Sequence, residues 1–374
     1  MPDAAASVII TNHNYARFLP SAIDSALRQD SDGVEVIVVD DGSTDDSRAV
    51  IAGYGRQIQA VLKPCGGQAS AMNAGFAAAR GQVIVFLDAD DLLDPSAVRI
   101  ASAALRGSGA AKAHWQMEVI DDTGQPVGRR HPTTPLPEGD YRDELIAHGP
   151  WMCENPPTSG NAWSRRMLRA VMPIPEQPFR LCADAYLLAA APLHGRLLRI
   201  ERPLGFYRLH DRNNFWNRPF EEQLIRGMTS YQIQCDALSE RLSRAGIRHD
   251  RTAWLPHSWW HRVRSAVDVI MTVVPAGRGF ALADEDQWGT PDLLRGRRRV
   301  AFPTDRSGRY SGPPATDDDA VAQLEQIRRI GLNTLALGWP AAWYPDVYPD
   351  FARTLRQHWK LIARHDAITV YGLP

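Results

Sequence analysis

Asp88-Ala89-Asp90 follows an apolar run, Val83-Ile84-Val85-Phe86-Leu87, and Asp91 comes directly after it. An apolar run ending in acids reads as a buried strand that delivers carboxylates to its C-terminal end. In open α/β sheets that edge is where ligands bind. Carboxylates are hard oxygen ligands, suited to a divalent cation that also holds a diphosphate. The same acids also read as an acidic turn before a helix, with Asp94-Pro95 as the cap and first helical residue. The neighbouring motifs decide between the two.

Val34 to Val39 is a second apolar run, and it too ends in acids, at Asp40-Asp41-Gly42-Ser43. Asp40 at that strand end, and Thr11 and His13 after a first strand from Ser7 to Thr11, suit the hydrogen bonds of a nucleobase or ribose. The elements that bring these residues together alternate. Leu19, Ala22, Ile23, Ala26 and Leu27 fall at helical spacing. Ser43 with Asp46 resembles a capping box. A weaker strand lies near 59–62, and Gly66-Gly67 opens an Ala-rich helix over 68–80 that Gly81 ends. A β-α-β-α-β-α-β order with right-handed crossovers predicts one mostly parallel sheet flanked by helices, with the acids on one edge.

Beyond about residue 110 the pattern is mixed. Lys112 to Ile120 reads as one strand, and 124–137 and 155–161 as irregular segments. Leu181 to Ala191 reads as a helix with Asp184 near its start, and Leu204 to Leu209 as a strand ending in His210. Residues 220–270 are largely helical and polar. A second α/β unit follows, with strands at 280–283, 333–337 and 367–371 and a helix begun by Thr316 and Asp317 to Asp319, which suit a helix N-terminus. The predicted division is 1–219, 220–270 as a helical connector, and 271–374 as a smaller module.

The 374 residues allow two or three domains, and a formal net charge of -1 argues against nucleic acid as a partner. Cys65, Cys153, Cys182 and Cys235 show no metal-type spacing and fit free thiols of a reducing compartment. The start of the chain reads directly into a strand rather than a signal peptide, and no apolar stretch has transmembrane length. A cytoplasmic protein is expected.

Taken in order, several segments resemble the start of a family 2 glycosyltransferase of the GT-A fold. They are Ser7-Val8-Ile9-Ile10-Thr11, Val38-Val39-Asp40-Asp41-Gly42-Ser43-Thr44-Asp45, Gly67-Gln68-Ala69 through Asn73-Ala74-Gly75, Ala79-Arg80-Gly81, and Phe86-Leu87-Asp88-Ala89-Asp90-Asp91. The resemblance covers roughly residues 5 to 215. It implies a nucleotide-diphosphate-sugar donor (UDP-, dTDP- or GDP-linked), a bound Mn²⁺ or Mg²⁺, and inversion at the anomeric carbon. The acceptor would be a glycan or lipid-linked hydroxyl, and peripheral membrane association is compatible with it. Carried over by position, Thr11, His13, Asp40 and Asp88 hold the nucleotide and Asp90 approaches the metal most directly. Asp184, in Cys182-Ala183-Asp184-Ala185, is the catalytic base, although Ala183 stands where the family more often has Glu. His210, in Tyr207-Arg208-Leu209-His210, reaches the metal or diphosphate. The segment after about residue 262 resembles a module attached to bacterial glycosyltransferases of surface-polysaccharide pathways. Its Trp and Tyr cluster reads as core packing before sugar stacking. Rival readings are a nucleotidyltransferase, which would carry a Gly- and Arg/Lys-rich loop where Asn12-His13-Asn14-Tyr15 stands, and an inactive carbohydrate-binding scaffold.

Overall fold

The computed structural model describes residues 5–150, 153–213, 218–288, 291–305 and 307–374. The chain divides into two compact units: 1–214 with 230–254, and 215–229 with 255–374. The segment expected as a connector is shared between them. Its main helix, Phe220–Arg244, begins in one unit and ends in the other.

The first unit is built on a seven-stranded sheet. Its centre is β1 (Ala6–Asn12), flanked by β2 (Val34–Asp41) and β4 (Val83–Asp88), with β3 (Gln59–Lys63) beyond β2. These four strands run parallel. On the other side of β4 the order continues through Asn161–Ser164, Lys112–Trp115 and Leu197–Ile200. Asn161–Ser164 is antiparallel to both of its neighbours.

The continuous apolar runs of the central strands follow from burial on both faces. Val8 and Ile10 pack with Leu19, Ala22, Ile23 and Ala26 of α1 (Leu19–Leu27). Ile9, pointing the other way, packs with Ala69 and Met72 of α3 (Gln68–Ala78). Each such fully buried Val or Ile is worth roughly 1.5–3 kcal/mol relative to exposure. Gly75 lets α3 approach closely, since a Cβ there would lie 2.3 Å from Ile9 Cγ2.

Three local expectations change. Ser43 does not cap α2 (Ser47–Gly53). Gly42, at φ +72°, turns the chain, and the Ser43 hydroxyl instead accepts from Asn12 Nδ2 and the Asn14 amide. Ser96, not Asp94, is the N-cap residue of the helix Ala97–Leu105, and the Asp94 carboxylate accepts from the Ser96 amide. The single strand expected over 112–120 breaks at Gln116, whose side chain donates to the carbonyls of Pro132 and Thr134. Residues 112–115 stay in the large sheet. Residues 117–120 join a second sheet of four strands, in the order Leu92–Leu93, Gly205–Arg208, Met117–Ile120, Pro126–His131.

The second unit carries a five-stranded sheet in the order Arg298–Ala301, Gly279–Ala283, Thr334–Gly338, Ile368–Gly372, Lys360–His365. The first three strands are parallel. Thr316 caps the helix Asp317–Arg329, its hydroxyl accepting from the Asp319 amide. Tyr344 and Phe351 are fully buried and pack with Leu324, Ile327 and Leu355, so these aromatic residues serve the core.

Candidate functional site

The parallel strands end together. Thr11 of β1 is in register with Asp88 of β4 and with Val39 of β2, one residue before Asp40. Four acids of the candidate site therefore leave one edge: Asp40 and Asp41 from β2, Asp88 from β4, and Asp90 two residues further on.

The β1 and β2 ends are tied into one loop cluster. Asp40 is fully buried and its carboxylate faces protein donors. One oxygen accepts from Asn12 Nδ2 at 3.1 Å, the other from the Ser43 amide at 3.1 Å and Arg48 Nε at 2.9 Å. Burial alone would raise its pKa, and these donors hold it below the usual carboxylate range. Asp41 is held the same way by Lys63 Nζ at 2.6 Å and by the amides of Gly66 and Gly67. Gly67, at φ +92°, has no room for a side chain, because a Cβ would meet the Arg180 carbonyl at 2.6 Å. His13 is exposed and its Nδ1 donates to the Asp41 carbonyl at 2.8 Å, while Thr11 is buried beneath it at the strand end.

Asp88, Asp90, Asp91 and Asp184 form the second half. His210 lies beside Asp90, with Nε2 2.9 Å from Oδ2. Tyr15 and Phe18 pack on the His210 ring at centroid distances of 5.7 and 4.8 Å, which fixes the imidazole. Arg208 donates from its amide to Asp91 and from Nε to the Asp90 carbonyl, so the strand carrying Arg208 is latched to the acidic turn. Ser159 donates to Asp91 at 2.7 Å and accepts from the Asp88 amide at 3.1 Å. Asp184 enters from the N-terminus of the helix Ala183–Ala190, after Cys182 in the left-handed region at φ 56°. Gln68 anchors that helix start by accepting from the Ala183 amide at 2.9 Å, and it also acts on Asp88. The Thr158 hydroxyl acts on both Asp88 and Asp184.

The crowding has an electrostatic signature. Burial, then Asp90 and Asp184, push Asp88 up to about 8. Burial, Asp90 and Asp88 raise Asp91 well above the usual range, and burial raises Asp184 against the Ala185 amide, Thr158 and Lys112. Tyr15 is raised by burial and by the same acids. An acid raised on folding binds more protons in the native state, so its contribution falls as pH rises from the unfolded value of about 3.9 toward the folded one. Asp88→Asn should therefore raise the Tm of the metal-free protein at pH 8 and change it little at pH 4. A melting series across that range checks it, and an unchanged or lowered Tm at pH 8 would show that Asp88 carries no such strain.

This donor set fits a hard divalent cation. Carboxylates that repel one another, next to a histidine, are stabilised by positive charge. Asp90 and His210 lie as a hydrogen-bonded pair rather than as a tight cage. The group of three ligand atoms within 4.8 Å that is found among the described residues is elsewhere, at His13, Asp41 and Cys65, where Asp41 already holds Lys63.

All seven residues singled out from the sequence lie in the first unit. Asp90 and His210 come into contact, Asp184 acts electrostatically on Asp88, and Thr11, His13 and Asp40 sit at the neighbouring strand ends. The sequence reasoning missed Thr158, Ser159 and Lys112, and it gave no separate role to Asp41, Gln68 or Arg208. Thr158 and Ser159 lie in what reads as an irregular Pro-rich loop, and only its position beside a strand of acids could have drawn attention to it.

Residues 7–153 match the family Glycosyl transferase family 2. An uncharacterized glycosyltransferase of Nostoc sp. is 32% identical over 270 residues, 68% of this chain and 84% of that protein. The hyaluronan synthase of Pasteurella multocida is 40% identical over 97 residues, which are 25% of this chain and 10% of that protein. The structure of S. aureus TarS 1-349 in complex with UDP-GlcNAc superposes with a TM-score of 0.53 at 14% identity, covering 99% of each chain. That likeness concerns the fold, and it agrees with a GT-A architecture. Among the described residues no helix is long and apolar enough to cross a membrane. With a relative of this identity and coverage and the family's own pattern across the β1 to β4 edge, the chain belongs to glycosyltransferase family 2 and is an enzyme of the nucleotide-sugar transferase type.

Proposed function

We propose that the protein is a metal-dependent, inverting glycosyltransferase that moves a sugar from a nucleoside-diphosphate donor to an acceptor hydroxyl. The observation that carries this reading is the pairing of His210 with Asp90 at the end of β4, with Asp88 two residues before it and the charge of Asp184, at a helix N-terminus, acting on Asp88. Asp184 is the general base, taking the proton of the acceptor hydroxyl as it attacks. A single base opposite the leaving group gives one displacement and hence inversion. Thr11, His13 and Asp88 bind the nucleotide, and Asp40 serves it by fixing the 43–45 loop beside His13. Asp90 and His210 hold Mn²⁺ or Mg²⁺, which when bound offsets the charge of the departing diphosphate.

The work is cytoplasmic, on a glycan or lipid-linked acceptor of surface polysaccharide or glycoconjugate synthesis. UDP-sugars come first among donors, because the GT-A structure of comparable extent was solved with UDP-GlcNAc. The test is incubation with UDP-, dTDP- and GDP-sugars and Mn²⁺ or Mg²⁺, with detection of released nucleotide and of product anomeric configuration by NMR. Release that EDTA abolishes, with an inverted product, is expected. A retained configuration or metal-independent release would sink those parts of the reading, and no release from any donor would favour an inactive scaffold.

The two units are proposed as separate domains, the second serving acceptor choice. A chain ending after Trp254 keeps every candidate site residue. Its weakness is the start of the helix Phe220–Arg244, since Leu224 is buried against Val263, Ala266 and Ile270 of the removed part. Truncation together with Leu224→Glu should restore solubility, with donor hydrolysis kept and sugar transfer reduced. A soluble truncation that no longer binds nucleoside diphosphate would mean that the second unit completes the transferase.

A further inference from the structure

Lys112 opens the strand Lys112–Trp115 and is fully buried. Lysine is almost never fully buried unless its amine is paired. Here its hydrogen-bond partners are neutral amides. Nζ donates to Asn155 Oδ1 at 2.9 Å and to Asn161 Oδ1 at 2.8 Å, above the Trp163 ring at 5.5 Å. Both asparagines are themselves fixed, since Asn155 Nδ2 donates to the Cys153 carbonyl and Asn161 Nδ2 to the Pro157 carbonyl.

Asn155 and Asn161 are the two ends of one short segment. Its middle is the 3-10 turn Thr158–Gly160. The Ser159 hydroxyl there joins Asp91 to the Asp88 amide, and the Thr158 hydroxyl acts on Asp88 and Asp184. Asn161 is held by the strand it opens, so it is the Asn155 end, outside regular structure, that must be fixed if the middle is to keep Ser159 on Asp91 and on the Asp88 amide. A single amine bridging both ends does this.

We propose that Lys112 is a positioning residue of the transfer site: by tying Asn155 to Asn161 it holds the Thr158–Ser159 turn against Asp88, Asp91 and Asp184. The inference rests on the reading of those acids given under the proposed function. It does not depend on the lysine's charge, because a neutral amine still has the two N–H donors that two amide oxygens require. Burial pushes Lys112 down to about 7, so both forms are met near neutral pH, and both can hold the segment.

The test uses the full chain with Lys112→Met, which keeps length and apolar contact and removes the donors, Thr158→Val, which removes only the hydroxyl, and the double variant. Hydrogen exchange followed by mass spectrometry needs no substrate. Exchange in the peptide 155–162 should quicken about tenfold or more in Lys112→Met, with the β1 and β4 peptides unchanged. If Lys112→Met fails to fold, Asn155→Ala releases one end of the segment with the lysine in place and should quicken exchange in the same peptide. With the donor found by the nucleotide-sugar panel, Lys112→Met should lower kcat by about 10–100-fold, as small misplacements of catalytic groups do. Donor KM should move little. A residue that acts through Thr158 gives coupled effects, so the double variant should be no worse than Lys112→Met alone. A lysine that serves stability only would give losses in kcat that multiply. Unchanged exchange at 155–162, or multiplying losses, would overturn the proposal. If Asp184→Asn proves harmless the base assignment falls, and the exchange result still decides the clamp. If Asp184→Asn is crippling while Lys112→Met changes neither exchange nor kcat, the clamp alone falls.

Discussion

Asp184→Asn should lower kcat by about 10²–10⁴-fold, the usual contribution of a positioned general base. Donor affinity should stay nearly intact, because proton removal is realised in the transition state and adds little to ground-state binding. Asparagine keeps the size of the side chain, so the fold should survive. The pH dependence carries a sign as well. Burial raises Asp184, and Thr158 and Lys112 oppose it without cancelling it. The acidic limb of kcat should therefore lie above the pKa of about 3.9 of a free aspartate, with activity lost as pH falls through it. Steady-state kinetics with the identified donor and acceptor, paired with calorimetry of the nucleoside diphosphate, separate the two effects. Near wild-type turnover would end the candidacy of Asp184 and turn attention to Glu154, which is also raised by burial.

The second large effect is expected at the metal. Asp90→Asn removes the carboxylate that touches His210 and should abolish the Mn²⁺-dependent part of nucleoside-diphosphate binding. Metal-free binding should remain, since Thr11, His13 and Asp40 lie at other strand ends. His210→Gln should give a weaker version of the same loss. Calorimetry with UDP, GDP and dTDP, each with and without Mn²⁺, reads both variants. Equal metal dependence in Asp90→Asn and the parent protein would remove Asp90 from the site.

These two variants probe opposite ends of one device. Burial and neighbouring negative charge make Asp88 and Asp91 harder to ionise, burial does the same to Asp184, and the fold accepts that cost. Regions that hold such strain are commonly functional, since a stability optimum would replace it. The contrast with Asp40 and Asp41 is direct. Those two are buried and supplied with donors, and they lie below the usual carboxylate range, whereas Asp88, Asp91 and Asp184 lie above it. The first pair organises loops, while the second group is one that a nearby positive charge would stabilise.

The sequence by itself determined the succession of the first sheet's four parallel strands and the edge on which their acids meet, though not the antiparallel strand Asn161–Ser164 beside β4. Alternation of apolar runs with amphipathic or Ala-rich helices leaves right-handed crossovers as the solution, and strands buried on both faces show as continuous apolar runs. Thr11, Asp40, Asp88 and Asp90 could be named because each ends or closely follows such a run. Asp184 and His210 could not be placed from spacing, and a family resemblance had to point to them. They come from elements far along the chain, and only tertiary packing brings His210 to Asp90 across the second sheet. The break at Gln116 was likewise illegible, because Trp115 and Met117 are both fully buried and a run of apolar residues cannot say which of two sheets each half joins. The clearest case is Asp40. Its type and position suit a nucleoside contact, but its carboxylate is turned to Asn12, Ser43 and Arg48. Which donors reach a buried carboxylate first is settled by the three-dimensional neighbourhood, and no spacing along the chain encodes it.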